Sequence, residues 1–440
     1  MSPRAKKIPN DEVFPRSADV VIIGGGIVGA ATAYYLAKRG LSVSLIEKGY
    51  VGCEQSSRNW GWCRQQNRDI REMPLSVLSM NLWDGLADEI GQDLGFRRSG
   101  LLYASDDAKQ LAEWEKWQDV AKLFNVETRM LSAREAADKF PGSKRKWLGG
   151  LHAARDGKAE PALAAPILAE GARALGATVH QQCAAYGLDI TNGAVTGVHT
   201  EKGFIKAGAV LCAAGAWASA FCDTAGVRFP QASVRQTALR SKPARNVGEV
   251  LYTPDCALTR RLDGSYTMTI SGKATLEVTP QSLRYAKPFL PMFMKRLRAV
   301  QVGVGRSFFS GPESLSTWCS NSESKFSDIR VLDPDPSKRF ISAILSNVRA
   351  TFPALADVEV DEAWGAYVDS TPDAVPVISP VEQIRGFYLA AGCSGHGFGV
   401  GPGIGFVAAE LIVNEAPSID LSPFRLSRLS DGSRIEVGAL

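Results

Sequence analysis

The sequence is poor in metal-binding groups and in long apolar runs. It contains four histidines among 440 residues, and none of its eight cysteines occurs in a CxxC spacing. A zinc site is therefore not predicted, nor is any other metal site. No run approaches the roughly 18 apolar residues that a membrane-spanning helix needs, and no signal-peptide pattern precedes the first motif. Scattered thiols are typical of a reducing compartment, so we expect a cytoplasmic protein.

The chain also lacks a strong charge of either sign. Its net charge is +4, which is small for this length. The longest basic cluster, Arg4 to Lys7, we interpret as a solvated tail, so nucleic acid is not a predicted partner. The length predicts two or three domains.

Residues 19–47 contain all the parts of a nucleotide-binding βαβ unit. A short β-branched run, Val20–Ile23, predicts a buried strand, and GGGIVG at 24–29 supplies a GxGxxG motif. A helical run follows, and a second strand ends in the acid Glu47. A lone GxGxxG is a weak signal, but this order and spacing together favour a dinucleotide site.

Each part of this unit has a physical role. Gly24 permits the tight turn, Gly26 lets the backbone approach a pyrophosphate, and Gly29 lets helix and strand pack closely. The N-terminus of the helix offers N–H groups to the phosphates. Glu47 can accept hydrogen bonds from a ribose 2′-hydroxyl and would repel a 2′-phosphate, which disfavours NADP. The unit leaves FAD and NAD open, and a plain βαβ unit with fortuitous glycines is the structural alternative.

Two later segments repeat the strand-then-turn pattern. The first is VLCAAGAW at 210–217, and the second is a strand over 387–390 that runs into a glycine-dense loop and then a helix from about Gly403. A doubly wound sheet that is revisited late in the chain is typical of FAD-dependent two-domain enzymes. A simple NAD dehydrogenase usually keeps its nucleotide domain contiguous.

On these residues the chain resembles the D-amino-acid oxidase family of FAD-dependent oxidoreductases, on the sarcosine, glycine and iminodiacetate oxidase side. The motifs that carry the resemblance are GGGIVG (24–29), Glu47, SSRNWG (56–61), AAGAW (213–217), TPD with PVI (371–378) and GCSGHGFGVGPG (392–403). The resemblance implies an α/β fold with a discontinuous Rossmann-like FAD-binding domain and a mixed-sheet α+β substrate domain. The expected segments are 1–85, 150–230 and 330–440 for the first domain, and 86–149 and 231–329 for the second.

The resemblance also implies which residues hold the cofactor. The SSRNWG loop would wrap the pyrophosphate and the flavin edge, although an ordinary polar loop is the alternative. The final helix would point its positive end at the flavin, which favours the anionic reduced form. The predicted FAD-binding residues are Gly24, Gly26, Ile27, Val28, Gly29, Glu47, Lys48, Ser56, Ser57, Arg58, Asn59, Trp60, Ala214, Gly215, Trp217, Gly395, His396, Gly397, Phe398 and Gly399.

Three residues are candidates for catalysis. Arg64, in GWCRQQNRD, matches the position of a basic residue against the flavin in sarcosine oxidases, where a guanidinium can clamp a carboxylate. The alternative is that Arg64 or Arg68 only pairs with a nearby acid. Lys273 could meet oxygen or substrate, or be a surface lysine. For His396 a structural hydrogen bond is favoured over a role as catalytic base.

The chain departs from the family pattern at two places. Many relatives carry a carboxylate-binding arginine shortly before TPD, but this chain has Ala366, Tyr367 and Val368 there. Another cation must replace that arginine, or the substrate differs. Some relatives attach FAD through a cysteine, and Cys393 lies in the glycine-dense loop. Because the surrounding sequence differs from the sarcosine oxidase pattern, we expect non-covalent FAD.

The expected reaction is oxidation of the C–N bond of an amino acid or N-substituted amino acid, by hydride transfer to flavin N5 and hydrolysis of the imine. The acceptor would be O₂ or a quinone or other electron carrier. A flavin dehydrogenase of a hydroxy acid is one alternative, and the flavin subunit of a hetero-oligomeric opine-type oxidase is another. Whether the chain acts as a monomer or an oligomer is left open by the sequence.

Overall fold

A computed structural model describes residues 3–297, 299–319 and 324–438. The strands in chain order are β1 (Val20–Ile23), β2 (Val43–Ile46), β3 (Trp62–Cys63), β4 (Leu101–Ser105), β5 (Arg129–Ser132), β6 (Gly149–Ala153), β7 (Gly157–Lys158), β8 (Thr178–His180), β9 (Ala185–Thr191), β10 (Ala194–Thr200), β11 (Gly203–Lys206), β12 (Ala209–Cys212), β13 (Ala232–Ser241), β14 (Val250–Tyr252), β15 (Ala257–Arg260), β16 (Tyr266–Thr269), β17 (Ala274–Glu277), β18 (Val300–Gly303), β19 (Val360–Ser370), β20 (Val377–Pro380) and β21 (Phe387–Ala391). The helices are α1 (Ile27–Lys38), α2 (Gln55–Arg58), α3 (Met73–Ile90), α4 (Ala108–Leu123), α5 (Ala133–Lys139), α6 (Pro161–Ala174), α7 (Ala218–Thr224), α8 (Pro280–Arg284), α9 (Ala286–Arg296), α10 (Leu315–Cys319), α11 (Ser324–Ser327), α12 (Lys338–Thr351) and α13 (Gly397–Ile412).

A six-stranded sheet joins segments that are far apart in the sequence. Its order is β20-β21-β12-β1-β2-β8, and only β20 runs antiparallel to its neighbour. The carboxyl ends of β1, β2, β12 and β21 therefore meet at one edge. Along β1, Val20 and Ile22 pack with the helices on one face, while Val21 and Ile23 pack toward the small β9–β11 sheet on the other. The prediction of an α/β Rossmann-like sheet built from distant segments is confirmed.

The last helix, α13, begins at Gly397, so the prediction of a start near Gly403 was wrong. The glycine-dense stretch is helical because α13 lies close to α1. A Cβ atom at Gly401 would come within 2.8 Å of Ile27, and one at Gly405 would come within 2.5 Å of the Cβ of Ala31. The glycines thus allow two helices to approach closely. In the sequence alone, the same glycine-rich composition is typical of a loop.

A second, larger sheet has ten strands. Nine follow the order β18-β17-β13-β16-β15-β14-β4-β6-β5, and β19 pairs with β13 along its length. Its core includes Leu239 and Met268 from the strands and Ile344 and Val348 from α12. The β19 strand belongs to this sheet although it lies in the segment 330–440, which we assigned to the FAD-binding domain. The division into domain segments stays a prediction.

Helix α9 differs from the other long helices in its burial. None of its residues is fully buried, Pro288 lies in its first turn, and Pro291 lies inside the helix. In the described ranges, no helix combines the length and the apolar character needed to cross a membrane.

Candidate active site

A cavity of about 1060 Å³ lies between the two sheets. Its walls come from the carboxyl edge of the six-stranded sheet, from β13, β17 and β19 of the larger sheet, and from α9. A smaller cavity of about 90 Å³ adjoins it, because five lining residues are common to both: Gly26, Gln55, Ser56, Ala213 and Gly215. Open sheets of this type bind ligands outside the carboxyl ends of the strands, on either side of the first strand.

The turn after β1 brings the N-terminus of α1 to the cavity. Gly24 has a φ of 107°, and a Cβ there would lie 2.4 Å from the carbonyl oxygen of Ala213, so only glycine fits. Ser56 Oγ accepts a hydrogen bond from the backbone N–H of Ile27 at 2.9 Å. The backbone N–H groups in the first turn of α1 and the Ser56 hydroxyl therefore lie together at the cavity wall. Such a group of hydrogen-bond donors can bind an anion.

The smaller cavity contains a preorganised carboxylate. Glu47 accepts hydrogen bonds from the backbone N–H of Gly25 at 2.7 Å and of Gly49 at 2.6 Å. Burial raises the pKa of Glu47 to about 7. Hydroxyl donors of a bound ribose would lower that pKa again, because they stabilise the charged form. Beside it, Lys48 Nζ lies 3.6 Å from the centre of the Trp217 ring.

The segment after Glu47 is held by side-chain hydrogen bonds. Asn59 Oδ1 accepts from the N–H of Gly61 at 2.7 Å, and its Nδ2 donates to the carbonyl of Ser56 at 2.8 Å. Arg58 is buried and donates to the carbonyl of Leu332, and its guanidinium lies 3.4 Å from the Asp333 carboxylate. These contacts give the loop one shape at the cavity wall.

The start of α13 closes the other end of the cavity. Gly397 to Gly399 line it, so the positive end of the helix dipole points inward. His396 precedes them, and its Nδ1 lies 2.9 Å from Oε2 of the fully buried Glu72. Burial, helped by the nearby Arg68, lowers the pKa of His396 to about 4. The imidazole is therefore neutral at pH 7.

Two arginines four residues apart line the same region. Arg64 donates through Nη1 to the carbonyl of Gln66. Arg68 is 3% exposed, and its Nε and Nη1 have no hydrogen-bond partner. Burial and the neighbouring Arg64 lower the pKa of the Arg68 guanidinium. A buried cation with unsatisfied donors is costly unless an anion completes it. Arg68 is thus the stronger candidate to bind an anionic ligand.

Aromatic rings form the wall beside these arginines. The rings of Tyr103 and Tyr252 stack at 4.4 Å, and Trp62 lies 6.3 Å from Tyr103. Trp62 is fixed by a 2.7 Å hydrogen bond from Nε1 to Thr259 Oγ1. All three rings line the cavity, where they exclude water from the guanidinium groups.

The stretch around TPD has a structural role in this chain. Asp369 is buried and accepts hydrogen bonds from the N–H of Gly392 at 3.0 Å and from two glutamine amides, those of Gln231 and Gln55. It thereby ties together three walls of the cavity. Asp373, of TPD itself, pairs with Arg428 at 2.9 Å, which joins the motif to the C-terminal segment.

The site fits a long dinucleotide cofactor that ends in a flavin. It offers an anion-binding turn at Gly26, a carboxylate at Glu47 for a ribose, and a helix N-terminus at Gly397 to hold an electron-rich ring. The family model described as "DAO: FAD dependent oxidoreductase" matches residues 19–411. The chain belongs to this family. The expected FAD dependence and oxidoreductase class are thereby confirmed.

Similar proteins include other members of the DAO family. The sarcosine oxidase subunit beta of Rhizobium meliloti is 28% identical over 428 residues, which cover 95% of this chain and 90% of that protein. The solved structure of an L-amino acid deaminase from Proteus myxofaciens, in complex with anthranilate, has a TM-score of 0.91 and 27% identity, with 97% of each chain covered. That of L-proline dehydrogenase from P. horikoshii has a TM-score of 0.78 and 25% identity, with 96% of this chain and all of that chain covered.

Most of the predicted FAD-binding residues lie together. Those on the larger cavity are Gly26, Ile27, Val28, Ser56, Arg58, Asn59, Trp60, Gly215, Gly395, His396, Gly397, Phe398 and Gly399. The smaller cavity adds Gly24, Glu47, Lys48, Ala214 and Trp217. Gly29 and Ser57 lie outside both cavities: Gly29 packs against the carbonyl of Gly24, and the Ser57 hydroxyl donates to the carbonyl of Glu54.

The three predicted catalytic residues are not all together. Arg64 and His396 line the larger cavity, whereas Lys273 is exposed at the turn between β16 and β17 and is not part of the lining. The roles of all three stay predictions. Sequence reasoning gave Arg68 only a structural role and did not consider Glu72. The available signal was their spacing, since Arg64, Arg68 and Glu72 recur every four residues in one short segment.

Metal ligands do not gather anywhere in the part of the chain that the structure describes. No group of three or more histidine, cysteine, aspartate or glutamate side chains there could hold an ion. The larger cavity is lined, among other groups, by the guanidinium groups of Arg64 and Arg68, by aromatic rings, by the starts of α1 and α13, and by Glu113 and Asp369.

Proposed function

We propose that this protein uses FAD to oxidise the C–N bond of an amino acid or an N-substituted amino acid. The observation that carries the proposal is Arg68, a buried guanidinium with two unpartnered nitrogens on the cavity wall. A carboxylate is the anion that matches such a group. Similarity to proteins named as sarcosine oxidase subunit beta, L-amino acid deaminase and L-proline dehydrogenase supports an amino acid as the bearer of that carboxylate.

Arg68 takes the place of the arginine that the sequence before TPD lacks. In the proposed complex Arg68 binds the substrate carboxylate, and Arg64 adds a second positive charge from the same wall. The carboxylate would then be held at a fixed distance from the start of α13. Such positioning would orient the carbon that carries the nitrogen toward the bound flavin, and positioning contributes much of the rate in such reactions.

The same cations govern the charge of the amine. The guanidinium groups of Arg64 and Arg68 disfavour an ammonium ion beside them, so they lower the pKa of a bound amine. The substrate is thereby held with a free lone pair on nitrogen. Because the pKa of His396 is lowered to about 4 and its Nδ1 is hydrogen-bonded to Glu72, the imidazole is a weak base, and it keeps the start of α13 in place rather than removing a proton.

When bound, the flavin supplies the acceptor for the hydride from carbon. The backbone N–H groups at Gly397 to Gly399 and the dipole of α13 would stabilise the negative charge that develops there. We propose that FAD is bound without a covalent link to Cys393. Burial raises the pKa of the Cys393 thiol well above its ordinary value, so this thiol is protonated and is a poor nucleophile.

Acceptor, location and assembly belong to this proposal as well. We propose O₂ or a quinone or other electron carrier as acceptor. A cytoplasmic location is supported by the seven cysteines within the described residues that are free thiols. A hydroxy-acid dehydrogenase remains the main rival, since Arg68 would bind a hydroxy acid equally well. A flavin subunit of a hetero-oligomer is the second rival, favoured by the similarity to a protein named as a beta subunit.

The carboxylate site is tested by replacing Arg68 with methionine. Methionine keeps the length of the apolar stem and removes the charge. We expect the Arg68→Met protein to keep its FAD, and the apparent Kd of an amino acid in anaerobic flavin reduction to rise about 10-fold to 100-fold, because a charged hydrogen bond is worth about 1.5–3 kcal/mol. Reduction by an amine without a carboxylate should change much less.

The matched control is Arg97→Met. Arg97 has a half-exposed side chain that pairs with Asp93 at 2.7 Å on the surface. This variant should bind substrate as the unmodified protein does. If Arg68→Met retains normal affinity for amino acids while its flavin is intact, Arg68 does not bind the carboxylate and the proposal loses its main support.

A further inference from the structure

One segment of the chain carries positive charge without any negative charge. From Val278 to Pro312 the sequence contains six lysines and arginines and neither aspartate nor glutamate. Acids and bases are almost equal in number over the whole chain, 46 against 50. The segment includes α8, α9 and β18, and its Arg284, Lys287, Lys295 and Arg306 side chains are exposed.

The same segment exposes an unusual share of apolar side chains. Seventeen large apolar residues are exposed in the described residues, and seven of them lie in this segment, between positions 283 and 309. Leu290, Met294 and Leu297 follow one another at spacings of four and three residues, so they form a stripe along α9. Their side chains are 55%, 63% and 50% exposed. Exposed apolar residues that cluster in this way mark an interaction surface.

The side of α9 that lines the cavity is apolar as well. Phe289 and Phe293 line the cavity and are half-buried, and the helix has no fully buried residue. Leu290 contributes to the cavity lining but is 55% exposed, whereas Met294 and Leu297 are outside the lining. The helix thus presents apolar side chains both to the cavity and to solvent. A helix that only closed the cavity would be expected to present polar residues to solvent.

We propose that the outer face of α9 docks on an anionic lipid surface. We call this face the α9 stripe, defined by Lys287, Leu290, Met294 and Leu297. Lys287 is exposed and lies three residues before Leu290, on the same side of the helix. Apolar side chains beside lysine, on a helix too short and too polar to cross a bilayer, are the pattern of a helix that lies in the headgroup region.

The positive charge beside the α9 stripe favours a lipid surface over a second copy of this chain as its partner. Arg284 is already paired with Asp223 of α7, but the α9 stripe itself contains Lys287 and no acid. A symmetric dimer through the stripe would therefore bring like charges together, which is unfavourable. An anionic membrane instead attracts each exposed lysine. The docked helix would lie between the lipid and the cavity. Docking through this surface does not depend on the reaction proposed above.

Vesicle co-sedimentation of the full, FAD-loaded chain tests the inference. Vesicles are made of zwitterionic phosphatidylcholine alone or of an equal mixture with phosphatidylglycerol. We expect binding to the mixed vesicles, weakened by high salt, and little binding to the zwitterionic ones. In the double variant Leu290→Glu/Met294→Glu, the partition coefficient should fall roughly tenfold or more. Lys287→Glu should produce a smaller loss.

The control variant is Leu123→Glu/Leu175→Glu, which changes two exposed leucines outside the segment. It should bind vesicles as the unmodified chain does. Flavin absorbance and melting temperature confirm that each variant is folded. The inference is overturned by absence of binding to mixed vesicles, or by equal losses in the two double variants. It is also overturned if Leu290→Glu/Met294→Glu breaks a dimer seen by size exclusion, because the stripe would then join two copies.

Discussion

At the scale of single residues, the contact between Glu72 and His396 provides the partner that a structural hydrogen bond of His396 requires. The pattern favoured a structural hydrogen bond for His396, but nothing in the sequence identified its partner, 324 residues away along the chain. The sequence likewise showed Arg68 as a second cation in the GWCRQQNRD segment. Its unpartnered donors depend on which acids lie within reach after folding, and sequence spacing does not encode that.

A pH experiment tests the burial of His396. Its pKa is about 4 in the folded protein and about 6.5 when exposed, so the unfolded chain binds the additional proton between these values. The free energy of unfolding should therefore fall as the pH drops from 6.5 to 4, by up to about 3 kcal/mol from this residue. His396→Gln should lack this part of the decrease in urea unfolding. His199→Gln, at an exposed histidine, should retain it. Parallel stability curves for the unmodified chain and His396→Gln would contradict the assignment.

At the scale of elements, the β1–α1–β2 unit follows from its periodicity, while the start of α13 does not. The β1–α1–β2 unit agrees with its pattern because each residue type serves both local structure and packing. In α13, local helix propensity and tertiary packing favour different residue types. Glycine is a poor helix former, yet here it allows α1 and α13 to approach, so tertiary contact outweighs propensity. The assignment of β19 to the larger sheet was also hard to predict, because β19 pairs with β13, a strand more than a hundred residues earlier in the sequence.

Alanine substitutions at two helical glycines test the role of glycine in α13. A Cβ at Gly405 would lie 2.5 Å from Ala31 and 2.7 Å from the backbone of Thr32, so Gly405→Ala forces the helices apart. We expect a loss of about 1–3 kcal/mol in the free energy of unfolding. Gly85→Ala, in α3, meets only the flexible carboxylate of Glu89 at 3.5 Å and should be neutral or gain up to about 1 kcal/mol from helix propensity. Equal effects at the two positions would show that α13 does not need its glycines for contact.

At the scale of the whole molecule, the sequence predicted the architecture better than the chemistry of the site. Three distant motifs share one sheet edge because parallel strands place their carboxyl ends together, and this rule applies to a strand pattern read from the sequence alone. The cavity wall that faces this edge could not be predicted in the same way. It is assembled from α9, β17 and β19, whose arrangement against the FAD-binding edge depends on long-range pairing.

The proposed function requires that an amino acid reduces the FAD held in this cavity. Anaerobic titration of the purified holoprotein with D-amino acids, L-amino acids, N-methyl amino acids, iminodiacids and the corresponding 2-hydroxy acids tests it most directly, with flavin absorbance as the readout. At least one amino acid or N-substituted amino acid should bleach the flavin absorbance, and the matching hydroxy acid should not. Bleaching by a hydroxy acid alone would contradict the proposed function, as would a purified protein that binds no FAD.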